Sequence, residues 1–308
     1  MRVTRVGADC ILYDTHLSYN KALREMPAVS VIIPIFNGAT SISRCIQSVL
    51  ESRYPRGQME VICIDNGSTD GTAAILRRFQ PAIRVIEESR RGPAAARNAG
   101  LRAATGELVA FTDADCFVDP CWLSNIVSPL HGSPGAVGGK ILPRPEAGWV
   151  EKFGEYIHDH ASAIELSEPP YLITMNMASR LSLLHSVGMF EERWTRMEDC
   201  DLAYRILQTG APITYQGDAV VYHHHRDRLP ALAREGYLHG YYTAAFRRIH
   251  RRFIENYRQP IASTRATPPP RPCAQEIGWL REKICWSVFR SAKRVGMYTG
   301  RCFPPVVE

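Results

Sequence analysis

The feature that most restricts the fold is an alternation of short apolar segments and helical segments across residues 29–112. The apolar, β-branched segments are predicted to be buried strands at Val29–Ile33, Val61–Ile64, Ile83–Ile86 and Leu108–Thr112. Helical periodicity fills the intervals at Thr40–Arg53, Thr69–Phe79 and Pro93–Ala104. Strand–helix units of this spacing predict an α/β fold, with a parallel sheet and right-handed crossovers.

Polar or turn-forming residues follow three of these strands, where ligands bind in such sheets. The strand ends read Pro34-Ile35-Phe36-Asn37, Asp65-Asn66-Gly67-Ser68 and Asp113-Ala114-Asp115. Two carboxylates at one strand end can aim at one point, and their hard oxygens suit Mg²⁺ or Mn²⁺. A solvated turn is the alternative interpretation of Asp113 and Asp115, and their position after a strand favours the metal site.

Two further polar clusters occur later in the chain. Glu198-Asp199-Cys200-Asp201 begins a predicted helix, where carboxylates are also ordinary partners of the helix dipole. His223-His224-His225-Arg226 follows a predicted strand at Ala219–Tyr222. On an extended chain His223 and His225 share a face, imidazoles can ligate a metal and Arg226 can hold phosphate. A solvated surface loop is the alternative for the histidines.

The other predictions for this half of the chain concern secondary structure and packing. A helix is expected at Trp149–His160 and a strand at Tyr171–Met177, which contains Asn176. Core packing is the favoured role for Trp149 and Trp194.

Charge divides the chain into a slightly acidic body and a basic tail. Residues 226–308 hold 16 Lys or Arg against 6 Asp or Glu. This tail predicts an anionic partner, namely a membrane surface, a phospholipid-linked substrate or nucleic acid, unless it is an ordinary solvated helical segment. We divide the chain into an extension at 1–27, an α/β domain at 28–226 and a helical region at 227–308, with a Pro-rich linker near 262–272.

Cysteine usage and hydropathy bear on the compartment. The nine cysteines include no CxxC pair, which argues against a disulfide framework and a structural zinc site and favours a reducing cytosol. The N-terminus lacks the apolar core of a signal peptide, and no run reaches the length of a spanning helix. The predicted location is cytoplasmic, with peripheral contact at the inner membrane face through the basic tail.

In order, four segments resemble glycosyltransferase family 2, whose members have the GT-A fold. They are VSVIIPIFNGA at 29–39, VICIDNGSTDGT at 61–72, GPAAARNAGLRAATGELVAFTDADC at 92–116 and EDCDLAYRILQTG at 198–210. The resemblance covers about residues 28–226. It implies a Rossmann-like, mostly parallel sheet flanked by helices, to which the basic helical tail is appended.

The resemblance also implies roles for individual residues. Residues that match nucleotide-sugar-binding positions are Pro34, Phe36, Asn37, Asp65, Arg97 and Asp113, and Asn66 stands where many relatives have a second Asp. Asp115 matches the metal-bound carboxylate, with Asp113 as its neighbour. His223 or His225 resembles a histidine that joins the metal or the phosphates in some members. Asp199 matches the general base, with Glu198 beside it and Asp201 as structural support. Asn176 lies about where members of the family shape the sugar and acceptor pocket, so the resemblance makes it a candidate for bonding sugar hydroxyls. Trp149 and Trp194 could stack on sugar faces, although core packing is favoured for both.

These residues imply an inverting transferase that uses a nucleotide-diphosphate sugar, UDP-sugar being favoured, together with Mn²⁺ or Mg²⁺. The expected acceptor is a glycan or a lipid-linked molecule, and a homodimer formed through the tail is a further hypothesis. A sugar nucleotidyltransferase ranks second, because the loop after the first strand lacks Lys and Arg. A non-enzymatic nucleic-acid-binding protein is the third hypothesis, but no nucleic-acid motif is present and no such partner is expected. A catalytically dead scaffold should lack the acids at 113, 115 or 199, which are all present.

Overall fold

The structure of the protein is a computed structural model that describes residues 26–257 and 277–303. The predicted extension at 1–27, apart from its last two residues, and the Pro-rich linker at 262–272 lie outside the described residues. The strands are β1 (Val29–Ile35), β2 (Met59–Asp65), β3 (Arg84–Glu87), β4 (Leu108–Phe111), β5 (Cys116–Val118), β6 (Ala136–Pro143), β7 (Met177–Arg180) and β8 (Ile213–His223).

Helices connect and flank these strands, and the last three form the C-terminal region. They are α1 (Ile42–Leu50), α2 (Thr72–Phe79), α3 (Pro93–Ala103), α4 (Trp122–Val127), α5 (Trp149–Lys152), α6 (Gly154–Ile157), α7 (His160–Glu165), α8 (Leu181–Ser186), α9 (Glu198–Gln208), α10 (Leu229–Ile249), α11 (Arg251–Asn256) and α12 (Trp279–Cys302).

The eight strands form one sheet in the order β3-β2-β1-β4-β7-β6-β8-β5. The first four are parallel, as the strand–helix alternation predicts. Beyond β4 the sheet is mixed, because β7 pairs antiparallel with β4 and β6, β6 pairs parallel with β8, and β5 pairs antiparallel with β8. This is the α/β architecture expected from the sequence, with helices on both sides of a central sheet.

Both faces of the sheet are covered, and its central strands are mostly apolar. One face packs on α1, through residues that include Ile42, Ile46 and Val49. The other face packs on α3 and α9. In α3, Gly100 is required, because a Cβ there would lie 2.6 Å from a methyl carbon of Ile32. This close contact holds α3 against β1 and thereby fixes Arg97, one turn earlier, at the strand ends.

The strands β5 and β6 were not predicted from the sequence. β6 contains Gly138 and Gly139, which weaken its strand signal. Both glycines are needed, because a Cβ at Gly138 would lie 2.4 Å from the His160 ring and one at Gly139 would lie 2.4 Å from the Ala219 carbonyl oxygen. β5 has only three residues and is defined by its pairing with β8 rather than by its own sequence.

The helix predicted at Trp149–His160 is wrong as one continuous element. The chain forms the two short helices α5 and α6, and α7 starts separately at His160. The restart has a local cause: the carboxylate of Asp159 accepts a hydrogen bond from the Ser162 amide at 3.1 Å and caps α7. The strand predicted at Tyr171–Met177 is also wrong, because residues 174–176 form a 3₁₀ turn and the strand begins at Met177.

The C-terminal region is helical, as predicted, and α10 and α12 pack with their backbones almost in contact. A Cβ on Gly240 would lie 2.1 Å from the Lys293 carbonyl oxygen, and one on Gly296 would lie 2.0 Å from that of Tyr237. Glycines on both helices therefore permit the crossing. Within residues 26–257 and 277–303, no helix is sufficiently long and apolar to cross a bilayer.

The described cysteines are mostly free thiols. Cys45, Cys63, Cys116, Cys200 and Cys285 are buried and free, and Cys302 is exposed and free. Cys121 differs, because it is disulfide-bonded. The scattered cysteine spacing did not predict this bond.

Candidate active site

The loops that follow β1 and β2 hold each other at one edge of the sheet. Asn37 has a positive φ of 53°, and its side-chain oxygen accepts a hydrogen bond from the Thr69 amide at 2.8 Å. The Asp65 carboxylate accepts one from the Ser68 amide at 2.8 Å. Because Ile35 is paired with Asp65 in the parallel register, Asn37 and Asp65 lie at the same edge. The structure therefore brings together these two predicted nucleotide-side residues.

An exposed aromatic–cation pair lies beside Asp65. The Phe36 side chain is 56% exposed, and the Arg91 guanidinium carbon lies 4.5 Å from its ring centroid. Arg91 also donates a hydrogen bond to the Asn66 carbonyl oxygen at 3.2 Å. The pair presents an aromatic ring and a positive charge next to Asp65, where a flat, anionic nucleotide can bind. Arg91 was not predicted as a site residue, because the Arg90-Arg91 pair before Gly92-Pro93 matches no binding pattern in the sequence.

Pro34 lies within β1, opposite Ile64, and is half-buried. Asn66, adjacent to the site, has a structural role: its amide nitrogen donates to the carbonyl oxygens of Glu88 and Arg90, at 2.9 and 2.6 Å. These contacts order the turn between β3 and α3.

Arg97 joins the end of β4 to the start of α9. Its guanidinium donates to Glu198 Oε1 at 2.7 Å and to Asp113 Oδ1 at 3.0 Å. Burial opposes the charge, but the nearby carboxylates, Asp113 first, raise the pKa of Arg97. Arg97 is therefore a fixed cation that brings Asp113 and Glu198 together from distant parts of the sequence.

The acids at the start of α9 have different environments. Burial, followed by the charge of Asp199, raises the pKa of Glu198 to about 7. Burial also raises the pKa of Asp199, although the charge of Arg97 opposes this. Asp201 instead contacts Arg205 at 2.7 Å and His250 at 3.1 Å, consistent with structural support. A carboxylate with a raised pKa is a better proton acceptor, which suits Asp199 to a base role.

Strand pairing brings the aspartates after β4 to the histidine cluster. Cys116 is the register partner of His223, and the His224 amide donates to the Asp115 carbonyl oxygen at 3.0 Å. As a result, His223 Nε2 lies 3.4 Å from Asp115 Oδ2. Burial raises the pKa of Asp115, but the charge and hydrogen bond of His223, a backbone hydrogen bond and the charge of Arg226 together outweigh burial. The pKa of Asp115 therefore lies below its usual range.

His225 and His158 complete a second histidine group behind this pair. The Nδ1 atoms of His223 and His225 are 2.8 Å apart, so one of them donates a proton to the other. His158 stacks on His225 with a centroid distance of 5.0 Å. Gly154 makes room for this packing, since a Cβ there would lie 2.1 Å from the His225 ring. His158 was not predicted as a site residue, because its sequence was assigned to a helix.

Among the described residues, two groups have the geometry for binding a cation. One contains Asp115, Cys116 and His223, and the other contains His158, His223 and His225. His223 is common to both, whereas Asp113, a predicted ligand, is in neither and contacts Arg97 instead. Burial raises the pKa of Cys116 well above its usual value, so this residue is a protonated thiol and a poor ligand for a hard cation.

Two adjoining cavities contain these groups. The larger, of about 1290 Å³, is lined by Arg97, Glu198 and Asp199. The smaller, of about 210 Å³, is lined by Asp115, His223 and His225. Asp113 and His158 line both cavities, so the two cavities adjoin. Asp115 and Asp199, predicted as metal ligand and base, therefore line neighbouring spaces. Arg226 lines the smaller cavity, and its Nε lies 3.4 Å from Glu235 Oε2.

Asn176 does not have the role expected for it. Its side chain is fully buried, and its oxygen accepts from Trp122 Nε1 at 2.8 Å. Its nitrogen donates to the carbonyl oxygens of Lys140 and Ala219 at 2.8 and 2.9 Å. The prediction that Asn176 bonds sugar hydroxyls is therefore wrong, because its polar atoms are occupied within the core. Trp194 is buried in the core, which is the role that the sequence favoured for it.

Comparison with known proteins agrees with this arrangement. The model of glycosyl transferase family 2 matches residues 30–185. Glycosyltransferase AglE from Haloferax volcanii is 31% identical over 204 residues, which are 64% of this chain and 67% of that protein. The pre-mycofactocin glycosyltransferase from Mycobacterium tuberculosis is 31% identical over 213 residues, which are 65% of this chain but 43% of the relative.

Solved structures share the fold. The mannosyltransferase PcManGT from Pyrobaculum calidifontis, in complex with GDP-Man and Mn²⁺, superimposes with a TM-score of 0.59 at 25% identity, covering 92% of this chain and 78% of that one. S. aureus TarS in complex with UDP-GlcNAc gives a TM-score of 0.53 at 18% identity, covering 89% and 92%, and supports the fold alone.

The sheet and its acidic cleft, with these similarities, define a nucleotide-sugar-dependent glycosyltransferase of the GT-A fold. The chain belongs to glycosyl transferase family 2.

Proposed function

We propose that this enzyme transfers a sugar from a nucleotide-diphosphate donor to a hydroxyl group of a polysaccharide, glycolipid or other glycoconjugate, with inversion at the anomeric carbon. The observation that carries the proposal is that Asp199 and Asp115 line two adjoining cavities that share Asp113, the partner of Arg97, in their walls. Family membership supports glycosyl transfer over the nucleotidyltransferase and nucleic-acid-binding hypotheses.

In this mechanism Asn37, Asp65 and the Phe36–Arg91 pair bind the nucleotide at the edge of the sheet, and Arg226 adds positive charge near the diphosphate. Asp199 removes the proton of the acceptor hydroxyl as it attacks the anomeric carbon. Such general-base assistance typically contributes about 10²–10⁴ in rate. Because the acceptor attacks directly and the nucleotide leaves from the opposite face, a single displacement inverts the configuration.

The residues at Asp115 suit a divalent cation. A carboxylate and an imidazole nitrogen 3.4 Å apart offer the oxygen and nitrogen ligands that Mn²⁺ accepts, and Mg²⁺ is the second candidate. Asp115 and His223 would hold the ion, which when bound neutralises charge on the leaving diphosphate. His225 contacts His223 through the opposite nitrogen and orients its ring, so we assign His225 a positioning role.

The donor is tested by thermal unfolding with UDP-, GDP- and dTDP-sugars in the presence of Mn²⁺. UDP-sugar is the expected donor, and the GDP-Man complex of PcManGT makes GDP-sugar the main competitor. A donor at about 100 times its Kd adds about 2.7 kcal/mol to the free energy of unfolding, which raises Tm by several degrees. EDTA and Asp115→Ala should abolish the shift, whereas Asp227→Ala, an exposed acid outside both cavities, should preserve it. No stabilisation by any nucleotide sugar would contradict the proposal.

The cation site is tested by titrating Mn²⁺ into the protein and following free Mn²⁺ by electron paramagnetic resonance. We expect His223→Ala to weaken Mn²⁺ binding by at least about 10–100-fold. Mutation of a residue that only hydrogen-bonds a metal ligand typically costs that much affinity, and His223 is itself a proposed ligand. His224→Ala is the matched control, because His224 is exposed and lines neither cavity. Equal Mn²⁺ affinity in the two variants would remove His223 from the site.

The basic tail is assigned a separate role in attachment. We propose peripheral contact with a membrane surface, since α12 exposes Trp279, Leu280 and Val295 alongside its basic side chains. A cytoplasmic location and a homodimer formed through this region remain predictions from the sequence.

A further inference from the structure

Three histidines converge in the smaller cavity, behind the contact of Asp115 with His223. His223 and His225 come from the end of β8, and His158 directly follows α6. Each ring offers one nitrogen within 4.8 Å of the other two, and all three rings line the cavity of about 210 Å³. Zn–N bonds of about 2.0–2.1 Å in a tetrahedral site place the ligand nitrogens about 3.4 Å apart, so shifts of about 1 Å would gather the three nitrogens around one ion.

Fixed acceptors determine which nitrogen of two of these rings is free to bind a metal. His158 Nδ1 lies 3.3 Å from the Gly154 carbonyl oxygen, which can only accept a hydrogen bond. This nitrogen therefore carries the proton, and Nε2 of His158 keeps its lone pair. The Asp115 carboxylate likewise faces His223 Nε2 at 3.4 Å and leaves the lone pair on Nδ1 of that ring.

His225 supplies the third nitrogen. When His223 Nδ1 is an acceptor, the proton in the 2.8 Å contact between the two Nδ1 atoms belongs to His225. The other nitrogen of His225, Nε2, then carries a lone pair. It is buried, and it has no hydrogen-bond partner in the part of the chain that the structure describes. Leaving a buried polar atom unpaired is unfavourable, and a bound cation would remove this cost.

The chemistry of the group selects the metal. Imidazole suits Zn²⁺, whereas Mn²⁺ and Mg²⁺ favour oxygen ligands, and three histidines with one open position are an arrangement that Zn²⁺ adopts in enzymes. The carbonyl oxygen of Gly154 and the carboxylate of Asp115 hold the outer nitrogens of two rings, as partners behind zinc-bound histidines do. Three acids and two arginines also line the cavity, a balance that favours a cation: Asp113, Asp115, Glu235, Arg196 and Arg226.

We propose that His158, His223 and His225 form a second cation site, which prefers Zn²⁺ to Mn²⁺. A neutral imidazole has one lone pair, so His223 can ligate Zn²⁺ through Nδ1 or the cation at Asp115 through Nε2, but not both. Zn²⁺ at the three histidines therefore inhibits the transferase by withdrawing His223 from the cation at Asp115. The inhibition rests on the proposed function, whereas the site itself rests on the histidines alone.

The site is tested by titrating the full, untagged chain with Co²⁺, which stands in for Zn²⁺ and absorbs visible light strongly only when few ligands surround it. We expect the strong absorption of four-coordinate Co²⁺ and its loss when Zn²⁺ is added. His158→Ala should weaken Zn²⁺ binding by at least about 100-fold, since loss of a residue behind a ligand already costs about 10–100-fold. Mn²⁺ affinity, measured by electron paramagnetic resonance, should stay nearly unchanged in this variant, because His158 is not in the group that contains Asp115.

His158→Asn is a second variant should the first fail to fold. His224→Ala is the matched control, because His224 is exposed and lines neither cavity. Equal Zn²⁺ affinity in the His158 and His224 variants would overturn the site, as would the weak spectrum of six-coordinate Co²⁺. A parallel loss of Zn²⁺ and Mn²⁺ binding in the His158 variants would also overturn it, because one shared site would then explain both metals.

Inhibition is measured as sugar transfer in excess Mn²⁺ with increasing Zn²⁺. Zn²⁺ should stop transfer by the unaltered chain, and the activity that remains in His158→Ala should require at least about tenfold more Zn²⁺ for the same inhibition. Zn²⁺ that binds without lowering transfer would overturn the inhibition. Because the metal titrations contain no nucleotide or acceptor, their failure is distinct from failure of donor binding in the thermal unfolding experiment.

Discussion

Replacing Asp199 with Asn is expected to lower kcat for sugar transfer by about 10²–10⁴-fold while the affinity for the donor stays nearly unchanged. The amide has almost the same shape as the carboxylate but cannot accept a proton at neutral pH. Asp199 lines the larger cavity and is in no ion pair with the residues that the structure describes, so its replacement should leave the donor side of the site in place. Donor affinity by titration and transfer by product formation measure the two effects separately.

The control is Asp201→Asn in the same helical turn, which removes a carboxylate that contacts Arg205 and His250 rather than the cavity. It should reduce stability but retain kcat. In the unaltered enzyme the raised pKa of Asp199 predicts that the rate falls, as the pH decreases, at a higher pH than for an ordinary Asp. If Asp199→Asn retains transfer within about tenfold of the unaltered enzyme, another group is the base.

The parallel half of the fold was predictable from sequence because each of its elements has its own local signal. Buried parallel strands are continuous apolar runs, and the crossover helices carry the 3.6-residue period. Parallel strands end at one edge, so Asp65 and Asp113 could be placed together before their contacts were known.

The mixed half was harder because its positions depend on pairing between distant segments. The contact of Asp115 with His223 follows from the β5–β8 register, and a three-residue strand carries almost no pattern of its own. Asn176 shows the reverse case, in which a polar residue near the site is occupied by backbone carbonyls and an indole. Sequence identifies which groups are polar but not which of them are already bonded.

Replacing Arg97 with Met is expected to lower the free energy of unfolding by about 3–5 kcal/mol at pH 8, the range found when one partner of a buried ion pair is removed. Arg97 is the cation bonded to both Glu198 and Asp113, and it is buried. Without it, two carboxylates face each other at the end of β4 and the start of α9. Chemical denaturation measures the change, with Arg102→Met of the same helix as the control, since Arg102 is exposed and contacts Glu88 only at 3.5 Å.

The loss in free energy of unfolding caused by Arg97→Met should depend on pH, and the pKa of Glu198 sets the direction of this dependence. Its folded-state pKa, about 7, lies above the ordinary Glu value of 4.5, and loss of Arg97 raises it further. The stability contributed by protonated Glu198 is complete below pH 4.5 and is lost as the pH rises through 7, so the Arg97→Met deficit should be smaller at pH 5.5 than at pH 8. Adding Glu198→Gln should recover part of the loss at pH 8 because it removes the uncompensated charge. A deficit equal to that of Arg102→Met at both pH values would show that the buried pairs do not stabilise the site, and the link between β4 and α9 would then rest on apolar packing alone.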